Sequence, residues 1–578
     1  MDNRSQNGAY YWCLVFLVLG LGIVLRCWQI QADPPKDLSA SGGYFADEGF
    51  WTHNARNKIL FDEWSTDGWN NMIVSPILHV ATYLSFYCFG VSILSARLVP
   101  ILFSIAALLL LLLSFYRSNE KITALLGLVF LGLQYPFLVH NRLALVETPG
   151  TFFLILVFYF FRDKRPLPLF LTGLWAACAF ITKTTIFFII PAVLLASALD
   201  RLTNRETDSH PVRFLLQDMF WFGIGFSVPM FFWLIFIYFP HGEMLGAYNR
   251  YYRSQQPGSL MGVIKAIATQ RFHIFFNRVP VLLLLSHVYV FIVFLELTRK
   301  SRSLARSELF AVCWYVCGIG FFACFSYRPL RYYLPVIPAM VILSAIFIER
   351  LWRNGWSWIS ALFRGPWLLG LGLWILYPVT ANIVLLIDRY GYDYQLLGPH
   401  FSQWPITGIW YPGMFLVTVM GVTLFLFFMM VSVGQNIFSR KTLSRAVSVL
   451  VVLALGTFLT VNGYAVLSWL LDPEYTILEI NKELSQFPAQ GTFTGQWAGE
   501  LCLQTSHRVV PVYSGYVNDD APFGKYNIRY LLLWHEYNHK DNFFEHFPEA
   551  TKKAQCLKTY RIKDSKVYFF EIPPSPSY

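Results

Sequence analysis

Four short segments place ionisable side chains at the ends of strongly apolar runs, where charge is costly and is retained mainly for function. Asp47 and Glu48 stand in Phe45-Ala-Asp-Glu-Gly-Phe-Trp51, and Glu147 in Asn141-Arg-Leu-Ala-Leu-Val-Glu-Thr-Pro149. Lys183 stands in Phe180-Ile-Thr-Lys-Thr-Thr185, and Arg328 and Arg331 in Tyr327-Arg-Pro-Leu-Arg-Tyr-Tyr-Leu-Pro335. Carboxylates and cations together suit the displacement of a phosphate from a sugar carbon. A base takes the proton of the attacking hydroxyl, and cations hold the departing phosphate oxygens. Arginine offers a planar fork for that phosphate, lysine a point charge. The same charges could instead hold an anionic lipid without reaction. Asp47 and Glu48 could simply cap a helix, and each cation could snorkel from a helix end.

That chemistry requires the segments to share one face of the elements that carry them. Of 578 residues, 56% are hydrophobic and 14% charged, against about 25% charged in soluble proteins, and the mean hydropathy is +0.46. The expectation is an all-α polytopic membrane bundle over residues 1–471, followed by a small soluble α/β domain over 472–578. By the length needed to cross about 30 Å of hydrocarbon, thirteen candidate spans are read at 10–30, 94–116, 121–139, 147–162, 167–182, 184–200, 214–238, 279–298, 308–325, 332–350, 367–387, 411–433 and 447–471. A further apolar stretch, Pro76 to Gly90, reads as a half-helix or a re-entrant one. The first span is too long for a secretory h-region of about 7–15 residues and is preceded by one basic residue, Arg4, so it is expected to be retained.

A cytoplasmic N-terminus puts the segments beginning Arg117, Arg162, Arg201, Arg299, Arg350 and Arg440 inside, in line with the positive-inside rule. The external face then receives the loops 31–93, 140–146, 239–278, 326–331 and 388–410 together with the tail, and all four charged segments emerge there. The reading is a multi-pass protein of the inner or plasma membrane with an extracytoplasmic C-terminal domain. The net charge of +11 fits basic cytosolic loops. No basic run interleaved with aromatics points to nucleic acid.

Residues 45–61 read as a helix at the membrane surface, with Phe50, Trp51 and Ile59 to Phe61 toward lipid and Asn54, Asn57 and Lys58 outward. The loop 239–278, with Tyr248, Arg250, Tyr251, Tyr252 and Arg253, reads either as a lid or as a second interfacial helix. In the tail, Ile477, Ile480 and Leu484 recur at helical spacing, and Arg508 to Tyr513, Ile528 to Trp534 and Val567 to Ile572 are strand-like. Gly495-Gln-Trp-Ala-Gly-Glu500 suits a sugar surface or a buried Trp in a turn, and acceptor recognition is the role expected of the tail. Seven of nine cysteines lie in or beside apolar helices as small hydrophobes. Cys502 and Cys556 lie in the tail, where they could pair if it is extracytoplasmic or co-occur by chance. His53, His79 and His241 lie near the proposed face without metal-ligand spacing, so no metal and no cofactor are expected.

At these residues the chain resembles the GT-C glycosyltransferases, in the superfamily of protein O-mannosyltransferases and lipid A aminoarabinose transferases (glycosyltransferase family 39-like). The resemblance covers most of the first 350 residues. It rests on the Asp47-Glu48 pair, on a Pro and a hydrophobic helix closing on Phe89-Gly90-Val-Ser and Arg97, and on Arg142 to Glu147. Thr182-Lys183 and Arg331 to Pro335 complete it. It implies inverting transfer of a hexosyl or pentosyl group from a polyprenyl-phosphate sugar to a protein, lipid or glycan acceptor of the cell envelope. Asp47 takes the general-base position with Glu48 beside it, Glu147 the second acidic position, and Lys183 and Arg331 (with Arg328 nearby) lie near the donor phosphate. Where the aminoarabinose transferases carry an acidic-basic pair before two prolines, this chain has Ile73-Val74-Ser75-Pro76. Two other readings compete: a transporter or flippase of lipid-linked sugars, for which no internal repeat is visible, and a non-catalytic subunit of an envelope complex.

Overall fold

The computed structural model describes residues 3–35, 46–64, 70–117, 120–203, 210–254, 256–270, 274–299, 304–362 and 440–573, except 489–490, 514–516, 535–542 and 564; isolated positions 38, 370, 374 and 421 are also described. The membrane part is built from α1 (Asn3–Cys27), α2 (Asp47–Phe61), α3 (Pro76–Phe89), α4 (Ile93–Tyr116), α5 (Lys121–Leu133), α6 (Tyr135–His140), α7 (Glu147–Phe161), α8 (Pro166–Thr182), α9 (Ile189–Thr203), α10 (Pro211–Trp233), α11 (Gly242–Ser254), α12 (Leu260–Thr269), α13 (Pro280–Arg299), α14 (Arg306–Ala323), α15 (Ile337–Leu362) and α16 (Arg440–Leu471).

Eight described helical segments are long and apolar enough to cross a membrane, and α3, α5, α7, α8 and α12 are shorter apolar helices. The expected spans at 367–387 and 411–433 lie outside the described residues. Sequence punctuation explains the breaks. Proline opens α3, α8 and α10, where its missing N–H is harmless. Pro136 divides the expected third span into α5 and α6. Ser92 and Ser95 close a reciprocal capping box at the start of α4. Apolar faces of α4, α7, α13, α14 and α15 fill one continuous core.

After α16 the chain forms α17 (Thr476–Leu484), β1 (Thr492–Thr494), α18 (Ala498–Leu501), β2 (Arg508–Val509), β3 (Ile528–Leu533), β4 (Gln555–Ile562) and β5 (Ser565–Glu571). The strands make a five-stranded mixed sheet in the order β2-β1-β3-β5-β4, parallel from β2 to β3 and antiparallel beyond. Ile477, Ile480 and Leu484 are buried as their spacing implies, and Trp497 is buried in its turn. Cys502 is buried and Cys556 exposed, both as free thiols.

One sequence expectation is corrected here. α2 does not lie with its asparagines toward water: Thr52, His53, Asn54, Ala55, Arg56 and Asn57 are all buried. The tail covers them. Arg56 donates to the carbonyls of Leu503 (2.9 Å), Thr505 (2.7 Å) and His507 (2.7 Å), and Asn57 Nδ2 to Val509 O at 2.9 Å. Asn54 Oδ1 accepts from Asn71 N at 2.8 Å.

Candidate active site

Helix geometry brings the charged segments together at one end of the bundle. α7 begins at Glu147, so this carboxylate sits in a first turn, and α8 runs back to the same end. There Lys183 adopts extended backbone (φ −152°, ψ 110°), ending α8 before the 3₁₀ turn Thr184–Phe188. Lys183 Nζ donates to Glu147 Oε1 and sits 4.1 Å from the centroid of the Tyr332 ring, a cation–π contact. Arg331 lies in the 3₁₀ turn Leu330–Val336 that leads into α15. Its Nε is 3.5 Å from Glu147 Oε1, and its Nη1 pairs with Asp47 Oδ2 at the start of α2.

Asp47, Arg331, Glu147 and Lys183 therefore form one row of alternating charge. Access along it is graded: the side chains of Glu147 and Lys183 are 1% and 8% exposed, those of Asp47 and Arg331 22% and 17%. The inner pair is withdrawn from water while the outer pair can be reached. Glu147 Oε2 is buried with no hydrogen-bond partner among the described residues.

The structure does not bring Glu48 into this row. Successive helical residues point about 100° apart, and Glu48 turns into the bundle. It receives Arg97 Nε at 2.9 Å and Nη2 at 2.5 Å, and Ala144 N at 2.8 Å. Arg97 also holds the carbonyls of Ile30 and Ala32. Glu48 is thereby an anchor between α2, α4 and the loop before α7. Arg328 is also elsewhere: it donates to the carbonyls of Phe325 (2.6 Å), Ala323 (3.1 Å) and Ala266 (2.9 Å), satisfying the C-terminal end of α14.

Other residues frame the site, and of these Tyr513 was not expected there. Tyr513 of the tail lies within electrostatic reach of Arg331, and its ring packs edge-on against Phe50 at 5.5 Å. Tyr248 of α11 packs in one apolar cluster with Val517, Phe50, Trp51 and Val74, so α11 and the tail both lean on α2. Behind α2, His53 Nε2, both ring nitrogens of His79, Ser75 Oγ and Thr82 Oγ1 are buried without partners among the described residues. Burial holds His53 neutral, its pKa pushed down to about 3. Among the described residues no group of three or more His, Cys, Asp or Glu is placed to hold a metal ion.

The family model described as dolichyl-phosphate-mannose-protein mannosyltransferase matches residues 74–233, the stretch with Glu147 and Lys183 but neither Asp47 nor Arg331. An uncharacterised protein of Aquifex aeolicus (strain VF5) is 25% identical over 331 residues, 54% of this chain. The match spans 61% of that relative's own length. ArnT from Cupriavidus metallidurans, bound to undecaprenyl phosphate, has a TM-score of 0.54 at 14% identity, over 98% of this chain and 99% of that one. Its apo form gives 0.54 at 14%, over 97% and 98%. At such identity the likeness is one of fold, and it extends through nearly the whole of both chains. This chain is a multi-pass membrane protein with the GT-C fold, of the type shared by the protein mannosyltransferases and ArnT.

Proposed function

We propose that this protein is an integral membrane glycosyltransferase, which transfers a sugar with inversion from a polyprenyl-phosphate donor to an extracytoplasmic acceptor. The observation that carries the reading is the row Asp47–Arg331–Glu147–Lys183, whose outer members are open to solvent and whose inner members are not. The donor's phosphate enters beside Lys183 and Arg331. As it takes up the guanidinium of Arg331, the Asp47 carboxylate is released from its ion pair. Asp47 accepts the proton of the acceptor hydroxyl, whose oxygen forms a bond to the anomeric carbon on the face opposite the phosphate. The bond from that carbon to the phosphate oxygen breaks, and Lys183 and Arg331 hold the developing negative charge. Glu147 sets the two cations in place and keeps the empty site electrically balanced.

A lipid monophosphate is the class of leaving group named both by the matched family and by the ArnT complex. The comparisons do not favour a transporter. The tail and α11 are assigned to acceptor recognition and closure, with the tail and Asp47 on the extracytoplasmic side. Purified protein in nanodiscs, supplied with labelled polyprenyl-phosphate hexoses and pentoses and with envelope protein, lipid or glycan acceptors, provides the test. Transfer is expected with one donor class and is expected to vanish in Asp47→Asn. Undiminished turnover by that variant refutes the assigned base. One-sided labelling of cysteines engineered beside Asp47 and Arg331 tests the leaflet.

A further inference from the structure

The helix that carries Asp47 has no cap of its own. Ala46 occupies its N-cap in an αR conformation and makes no side-chain hydrogen bond, and alanine is among the poorest N-caps. The first N–H groups of a helix lack intrahelical acceptors. The N–H of Gly49, third in the helix and the position an N-cap oxygen ordinarily serves, instead donates to Glu500 Oε2 at 2.6 Å. This acceptor is 451 residues downstream. The approach requires both chains to be bare. A Cβ on Gly49 would stand 2.1 Å from Glu500 N and Gly499 C, and one on Gly499 would stand 2.9 Å from Gly49 C and O.

The tail has the same need and meets it the same way. Tyr475, the N-cap of α17, makes no side-chain cap bond. Asp33, in the segment after α1, accepts from Thr476 N at 2.8 Å and Ile477 N at 3.3 Å. Each region thus supplies the cap that the other lacks.

We infer that Glu500 is a positioning residue for the proposed transfer: by capping α2 at Gly49 it fixes the first turn from which Asp47 meets Arg331. The inference rests on the glycosyltransferase reading given above. Within one turn, Asp47 is tied to Arg331, Glu48 to Arg97 and Ala144 N, and Gly49 to Glu500. The tie to Glu48 fixes the turn against the bundle, and the tie to Gly49 fixes it against the tail. Asp47 lies two residues, about 3 Å of helix rise, from Gly49, so fraying at Gly49 loosens the turn that holds Asp47. A misplacement of about 1 Å lowers a rate on the order of a hundredfold. Burial, and then the neighbouring Glu48 carboxylate, raise the pKa of Glu500 well above the usual carboxylate range, while Arg97 opposes. The cap needs only one acceptor oxygen at the place of Oε2, so glutamine, of the same shape, can replace Glu500.

The experiment uses the full chain in lipid nanodiscs and compares Glu500→Ala, Glu500→Asp, Glu500→Gln and Gly49→Ala. Hydrogen exchange is followed over residues 46–61, undecaprenyl phosphate binding is titrated, and kcat and KM are measured with the turned-over polyprenyl-phosphate sugar. Glu500→Ala is expected to speed exchange in the first turn of α2 about five- to tenfold. It lowers kcat about a hundredfold while undecaprenyl phosphate affinity stays within threefold. Glu500→Asp, one methylene short of Gly49, gives the same changes in milder form, and Gly49→Ala reproduces them from the other side. Glu500→Gln stays at wild-type exchange and kcat. Wild-type exchange in the alanine and aspartate variants, or equal loss of kcat in alanine and glutamine variants, overturns the inference. If exchange follows the expected pattern but the wild type turns over no polyprenyl-phosphate sugar, the cap stands and the transferase reading falls.

Discussion

Among the described residues, one row of alternating charge lies at the Asp47 end of the bundle and another at the opposite end, and they differ in which groups stay open. At the end away from Asp47, Arg201 pairs with Asp218 at 2.8 Å, Arg306 with Asp218 at 3.0 Å and Asp200 at 3.5 Å, and Lys164 with Asp200 at 2.8 Å. Both aspartates and both arginines there are buried, and the guanidinium of Arg306 is covered by the Phe161 ring at 4.3 Å. Those contacts fasten α9, α10 and α14 to one another. The far row also ends in an exposed group, Lys164 at 39%, but its carboxylates are only 1–2% exposed, whereas the row at Asp47 leaves a carboxylate open at 22% and its guanidinium partner at 17%. Charge at membrane depth therefore does not by itself mark a candidate site; an open carboxylate and guanidinium beside a shielded ion pair set the Asp47 row apart.

The comparison can be broken most decisively at one aspartate in each row, Asp47 and Asp218. Asp47→Asn is expected to lower transfer by about 10²- to 10⁴-fold with thermal stability unchanged, read from labelled product and from the unfolding midpoint. Asp218→Asn leaves Arg201 and Arg306 without their shared partner, an uncompensated buried charge that costs about 3–5 kcal/mol. It is expected to lower the midpoint while turnover per folded molecule is kept. A loss of kcat in Asp218→Asn at unchanged stability would erase the distinction between the rows. Lys183→Gln and Arg331→Gln each remove a charged hydrogen-bond donor worth about 1.5–3 kcal/mol, and calorimetric titration should show undecaprenyl phosphate bound roughly ten- to a hundredfold more weakly. Asp47→Asn should bind it several-fold more tightly, because Arg331 is then free of its carboxylate.

The smallest expected effect concerns pH at the junction of α2 with the tail. Burial raises Asp33 from an ordinary 3.8 to about 6, and burial with the Glu48 carboxylate raises Glu500, while Arg97 opposes. Groups that hold protons more tightly when folded lose stabilisation as pH rises past their unfolded values. The unfolding midpoint should therefore fall as pH is raised from about 4, the share of Asp33 being complete near 6 and that of Glu500 continuing above it. Asp33→Asn and Glu500→Gln should each flatten the profile.

What was legible in the sequence was what leaves a local trace. Hydropathy gives the spans, and counting their crossings places Asp47, Glu147, Lys183 and Arg331 at one end, where the structure joins them. The adjacency of Asp47 and Glu48 misled, because neighbours on a helix face different directions and Glu48 had a partner 49 residues away. Arg97 stood in the motif that carried the resemblance, but nothing in its spacing named that partner. Arg328 sat near Arg331 in sequence yet served the carbonyl ends of α14 and α12. Asn54 and Asn57 read with Lys58 as a wet face because polar composition cannot tell water from buried backbone, supplied to Asn54 by Asn71 N and to Asn57 by Val509 O, 452 residues on. Glu500 carried no periodicity, motif or neighbour that pointed to Gly49.

The exchange of caps also bears on how the protein is made. At about 5–20 residues per second, the ribosome adds Glu500 about 20 to 90 seconds after Gly49, 451 residues earlier. Throughout that interval the turn bearing Asp47 has neither its acceptor nor the covering strands. The helices up to α16 are thus synthesised before the turn bearing Asp47 has its acceptor. A chain lacking residue 500 would leave the N–H of Gly49, in the first turn of α2, without this acceptor.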